Sequence, residues 1–204
     1  MTASIEFHFD FGSPNAYLAH KVIPGIEQRL GTRFKYVPVL LGGVFKATGN
    51  KSPMESFRDV ENKWKYTELE TQRFIQNYNL AAFRRNPFFP INTLTMMRGA
   101  VFAQQQDFFA AYVDTVFSGM WEQQLNMGDV AILTNALEQA GLPARTIFEA
   151  TAHPEIKQAL LDHTSRSVAR GNFGSPTFFV GKEIFFGKDR LVEVETEYRK
   201  QMHL

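Results

Sequence analysis

The chain has 204 residues, 44% of them hydrophobic, enough for one compact unit or two small lobes sharing a core. Twenty-two basic residues against 21 acidic ones leave a net charge of +1, which gives no general attraction to nucleic acid or to an anionic membrane. Cysteine is absent, which excludes disulfides, thiolate metal sites and dithiol redox cycling within the protein. In chain order, Ile5, Phe7, Phe9 and Phe11 alternate with Glu6, His8 and Asp10, the period of a half-buried strand over 4–11. A helix is expected over 13–30, with Ser13 at the N-cap, Pro14 at the first helical position and Gly31 just past the end. Residues 33–39 read as a second strand, parallel to the first across that helix. Gly42 and Gly43 then predict a turn, followed by a polar loop over 48–53.

From about 54 to 170 the pattern is helical. One helix is expected from about Val60 to Tyr78, and Pro87 and Pro90 break the stretch after it. Asn92 or Thr93, Asp107 and Asp129 are candidate caps of the next three, and Pro154 opens the last of the block. Strands return at 177–180 and 184–186 around a Gly181-Lys182 turn, and a helix follows over about 190–201. The order is βαβ, a helical block, then ββα, with no internal repeat. This makes an α/β frame of 1–58 and 168–204 with a helical domain of 59–167 inserted, and a cleft between the two lobes. Twenty phenylalanines point first to an aromatic core and second to a ring-lined pocket for an aromatic substrate. The start of the chain lacks a basic segment followed by an apolar run, and no apolar stretch nears the ~20 residues of a membrane span, so a cytoplasmic protein is expected.

Three separated segments can meet in this topology. Ser13 stands at a strand-to-helix junction, where free backbone N–H groups and the positive end of the helix dipole favour an anion. Pro176, in Gly174-Ser175-Pro176-Thr177, directly precedes a strand, a setting for a cis bond that turns the Ser175 N–H and C=O toward an extended ligand. Asp189, in Phe186-Gly187-Lys188-Asp189-Arg190-Leu191, lies near a helix start and can receive an ammonium group. Each has a plain structural reading beside it: an N-cap for Ser13, a strand-start proline for Pro176 and a helix cap for Asp189. The five histidines show no metal-ligand spacing and no metal is expected.

Taken in order, Asp10-Phe11-Gly12-Ser13-Pro14 with Tyr17, Gly49-Asn50, Lys63-Trp64-Lys65-Tyr66, Pro90-Ile91-Asn92-Thr93-Leu94, Phe173-Gly174-Ser175-Pro176-Thr177 and Phe186 to Leu191 resemble a thioredoxin-fold branch. It is the branch of the kappa-class glutathione transferases and 2-hydroxychromene-2-carboxylate isomerases, and the likeness runs from Phe7 to about Tyr198. The resemblance implies a thioredoxin-like fold of the DsbA/kappa type and reduced glutathione as cofactor. In thioredoxin-type folds the position of Ser13 carries the reactive cysteine; here the thiol would arrive with the ligand. Ser13, beside Pro14, would hydrogen-bond the cysteinyl sulfur, and Ser175 before Pro176 would pair with the cysteinyl backbone. Asn50 and Lys63 would bind toward the glycine end, and Asp189 and Arg190 would hold the γ-glutamyl end. The function implied is glutathione-dependent isomerisation of 2-hydroxychromene-2-carboxylate in aromatic catabolism, such as naphthalene degradation, by a homodimer. A kappa-type glutathione transferase or peroxidase is the alternative, and a non-catalytic glutathione-binding module is the third reading.

Overall fold

The computed structural model describes residues 4–203. Strands β1 (Ile5–Phe9), β2 (Phe34–Pro38), β3 (Thr177–Val180) and β4 (Glu183–Phe186) form one sheet in the order β2-β1-β3-β4. β1 pairs with β2 in parallel, with Glu6 opposite Lys35, and with β3 antiparallel, with His8 opposite Thr177. Helix α1 (Pro14–Leu30) makes the crossover between β1 and β2 and ends at Gly31, whose φ of 64° suits a residue without a Cβ.

Eight helices separate β2 from β3. They are α2 (Leu41–Thr48), α3 (Pro53–Ser56), α4 (Glu61–Asn77), α5 (Leu94–Ala103), α6 (Phe109–Trp121), α7 (Val130–Gln139), α8 (Ala144–Thr151) and α9 (Pro154–Ala169). A 3-10 turn over Lys188–Arg190 leads into α10 (Leu191–Met202). Aromatic packing carries one core from the sheet into the helical segment. Phe7 stacks on Phe178 at 5.3 Å between ring centroids, and Phe11 meets Phe117 of α6 edge-on at 4.8 Å. Burying each such ring contributes about 1.5–3 kcal/mol.

Three local expectations are corrected. β1 is not half-buried, because His8 and Asp10 are as enclosed as the phenylalanines, at 3% and 1% exposure. α9 packs on β2 and α10 on β3, so helices cover this sheet and leave polar residues inside it that need partners. Gly42 and Gly43 lie within α2 rather than in a turn, and neither takes a positive φ. A Cβ on Gly43 would sit 3.2 Å from Thr164 of α9, so this glycine permits close helix packing. Asp107 does not cap α6, which starts at Phe109 without a side-chain cap. Asp129 does cap α7, accepting from the N–H groups of Ala131 and Ile132. Asn92 accepts from the Leu94 N–H at 3.0 Å before α5. Trp121 is a core residue that donates its indole N–H to the Phe11 carbonyl at 2.8 Å. Among the described residues no helix is long and apolar enough to cross a membrane.

Candidate active site

β1 ends against a short turn, and that turn is organised by Asp10. Its carboxylate accepts from the Gly12 N–H at 2.8 Å and the Leu41 N–H at 2.7 Å, so one side chain fixes both the approach to α1 and the start of α2. Burial pushes the Asp10 carboxyl above its ordinary range, while the Leu41 and Gly12 N–H groups and the Thr93 hydroxyl pull it back. Ser13 then caps α1. Its hydroxyl accepts from the Ala16 N–H at 3.1 Å and donates to the Ser175 carbonyl at 2.8 Å. Pro14 occupies the first helical position.

The Ser175–Pro176 peptide is cis, and so is Phe89–Pro90, which nothing in the sequence singled out. The Ser175 hydroxyl accepts from the Asp10 N–H at 3.1 Å, so both serines are bound to the same turn. The Ser175 carbonyl does not stand free as expected: the Ser13 hydroxyl already occupies it. Ser13 has a single proton, so donating it to a sulfur anion means turning away from Ser175. Behind the loop, Asn172 is 1% exposed and its carbonyl oxygen accepts from the Gly174 N–H and the Thr177 hydroxyl. In front of it, the partly exposed rings of Phe173 and Phe186 lie 4.5 Å apart. The Asn50 amide donates to the Phe173 carbonyl at 2.8 Å, which draws the segment after α2 onto this loop.

The third segment joins through the backbone, where the Gly187 N–H donates to the Pro176 carbonyl at 2.9 Å. Lys188 comes next and is 1% exposed. Its ammonium donates to both oxygens of Glu70 at 2.7 Å and to Asp189 at 3.0 Å, and lies 4.9 Å from the Phe74 ring centroid. Burial and the adjacent Asp189 push the Glu70 carboxyl up. Burial works on Asp189 too, but hydrogen bonds from Glu70 and Lys188 outweigh it and hold Asp189 low. Of this pair Asp189 has the lower-lying carboxyl, half-exposed toward solvent.

Ser13, Pro14, Ser175, Pro176, Asn50 and Asp189 are thus linked into one surface by direct contacts. Arg190 turns elsewhere, pairing with Glu193 of α10 at 2.7 Å. Lys63 stands on the first turn of α4, two turns before Glu70, with its ammonium 5.1 Å from the Phe57 ring centroid and no carboxylate within 4.0 Å among the described residues. Asp10, Lys188 and Glu70 hold this surface together, and sequence reasoning assigned none of them a role. A charged residue closing a phenylalanine-rich strand was the available signal for Asp10, and a lysine directly after Phe185-Phe186-Gly187 was the one for Lys188. Glu70 sits among charged neighbours on α4 and only its tertiary partner marks it. The donor set fits glutathione: a hydroxyl at a helix N-terminus for the sulfur, a standing carboxylate for the ammonium, and a free lysine for a carboxylate. Among the described residues no three His, Asp or Glu side chains gather as a metal site would need.

Comparison with known proteins agrees with this frame. The model of the DSBA-like thioredoxin domain matches residues 4–199. The chain is 30% identical to 2-hydroxychromene-2-carboxylate isomerase of Sphingobium xenophagum over 198 residues, covering 96% of this chain and 98% of the relative. It is 24% identical to glutathione S-transferase kappa 1 of Rattus norvegicus, over 92% of this chain and 87% of the relative. A solved structure of a 2-hydroxychromene-2-carboxylate isomerase superposes with a TM-score of 0.83 at 27% identity, covering 97% of this chain and 95% of that one. The chain belongs to the DSBA-like thioredoxin domain family, in the branch of the 2-hydroxychromene-2-carboxylate isomerases and kappa-class glutathione transferases.

Proposed function

We propose that this enzyme isomerises 2-hydroxychromene-2-carboxylate to trans-o-hydroxybenzylidenepyruvate with reduced glutathione as cofactor. The observation that carries the reading is the Ser13 hydroxyl, capping α1 against Ser175-Pro176 in a chain without cysteine. When bound, glutathione supplies a thiolate that adds reversibly to the double bond of the opened chromene, so that the bond rotates as a single bond before the thiolate leaves. The protein's part is to make that thiolate available. A free thiol of this kind has a pKa of about 8.5, and a hydroxyl donor at a helix N-terminus favours its anion. Asp189 receives the γ-glutamyl ammonium, oriented by Lys188 beneath it. Ser175 aligns the cysteinyl backbone, and Asn50 and Lys63 serve the glycine end. Phe173 and Phe186 present an apolar face beside Ser175 for the aromatic ring.

Incubation with 2-hydroxychromene-2-carboxylate, with and without glutathione, tests the proposal. The expected result is conversion to the trans-alkene only with glutathione, which is recovered unchanged. Stoichiometric loss of glutathione to a stable conjugate would instead establish the kappa-type transferase, which the same donor set serves. Binding without turnover would leave a glutathione-binding module.

A further inference from the structure

A second cluster lies on the sheet face covered by α9. The strand register puts Glu6 and His8 of β1 beside Lys35 of β2, and α9 with its cap lays His163, Arg166, Ser167 and Arg170 across them. Together these line a cleft of about 300 Å³. Three cations face one carboxylate, and Glu6 is already committed: it accepts from Arg170 at 2.7 Å and bonds His8 at 2.9 Å. Arg170 is fixed further, with its guanidinium 3.8 Å from the Phe179 ring centroid. Lys35 and Arg166 have no carboxylate within 4.0 Å among the described residues. Both are exposed at the mouth of the cleft, so two positive charges stand there without a protein counter-charge. The Nδ1 atom of His163 is buried without a hydrogen-bond partner. His8 is held neutral by burial, and His163 likewise, with nearby Lys35 and the arginines adding to the effect. Beside neutral imidazoles, Lys35 and Arg166 are the charges available to an anionic ligand entering from solvent. A doubly charged oxyanion balances them, and the planar guanidinium fork matches phosphoryl oxygens.

We propose that the cleft between β1, β2 and α9 binds a phosphoryl group through Lys35 and Arg166, as inorganic phosphate or as the head of a small phosphate monoester. This site does not depend on the glutathione reading, because its lining shares no residue with the Ser13 surface. The test is calorimetric titration of the full chain with inorganic phosphate and with glycerol 3-phosphate, against sodium chloride of equal ionic strength. One saturable site is expected for phosphate. K35Q and R166Q should each weaken it about tenfold or more, the loss of one charge-assisted hydrogen bond. R145Q, on the exposed side of α8, should not. Tighter binding of the monoester would assign the cavity to an organic phosphate, and equal binding to the phosphoryl group alone. Proton NMR of the histidines gives an independent readout, since an anion nearby favours imidazolium: the His8 and His163 titrations should move up with phosphate and not with chloride. Circular dichroism of each variant confirms folding. No saturable binding, equal affinity in K35Q and R166Q, or the same histidine shifts in chloride would overturn the proposal.

Discussion

Replacing Lys188 with Met removes the one cation that holds two adjacent carboxylates. The ammonium is 1% exposed and makes three short bonds, to both Glu70 oxygens at 2.7 Å and to Asp189 at 3.0 Å. Methionine keeps the length and apolar stem, so packing against Phe74 survives and the change isolates the charge. Breaking a fully buried pair by removing one partner costs about 3–5 kcal/mol, and solvent access to Glu70 and Asp189 reduces this to about 1–3 kcal/mol. For a chain of this size that is a fall in melting temperature of roughly 2–12 °C. The cost should depend on pH with a definite sign. Without the lysine, Glu70 and Asp189 repel, and the pair relieves this by taking up a proton, which Glu70 is already inclined to do. Lys188→Met should therefore lose much less stability at pH 5 than at pH 7.5. Glu70→Gln in the same background should restore part of the loss, with a coupling of about 0.5–3 kcal/mol. Urea unfolding of the single and double variants at both pH values measures all of this. Calorimetry with glutathione should also show weaker binding, because Asp189 loses the group that orients it. A loss below about 1 kcal/mol, equal at the two pH values and additive with Glu70→Gln, would refute the reasoning.

Ser13→Ala should raise the thiol pKa of bound glutathione, since a hydrogen bond to a charged group contributes about 1.5–3 kcal/mol; ultraviolet titration of the thiolate reads it, and an unchanged titration removes Ser13 from that role. Asp10→Asn should destabilise by about 1–3 kcal/mol in chemical denaturation, because the amide cannot accept from both the Gly12 and Leu41 N–H groups without turning its own NH2 on one of them. Gly99→Ala would bring a Cβ to 2.2 Å from the Tyr112 hydroxyl, which donates to the Met96 carbonyl, and should cost about 1–3 kcal/mol. Gly42→Ala, with open space around it in α2, should stabilise by about 0.4–1 kcal/mol in the same assay. The bond from His8, aided by Arg170 and opposed by partial burial, holds Glu6 at about 2 against an ordinary value of 4.5. A lowered folded pKa gives stability that is present above 4.5 and lost as pH falls toward 2, so the acid limb of the unfolding midpoint should flatten in Glu6→Gln.

The four strands, the Ser13 cap and the Gly31 stop were legible because each rests on local chemistry. Period-two alternation marks a strand, a hydroxyl before proline starts a helix, and a glycine without a Cβ ends one. The meeting of Ser13 with Ser175 also followed from the chain alone, through the resemblance of spaced motifs. What local chemistry cannot express is who faces whom across the fold. Alternation in β1 spoke of a wet face, but α9 covers His8 and turns it into part of a hydrogen-bonded network with Glu6 and Ser167. Gly42-Gly43 read as a turn because backbone preference favours one there, and packing against Thr164 overrode it. In its own segment only the preceding Phe185-Phe186-Gly187 distinguishes Lys188 from a solvated lysine. Its partner Glu70 is 118 residues away, and only the tertiary structure, by burying Lys188 beside Phe74 and against Glu70, makes that pair the support of Asp189. Charge in the interior is decided by the distant groups that must neutralise it, and a linear pattern carries no record of them.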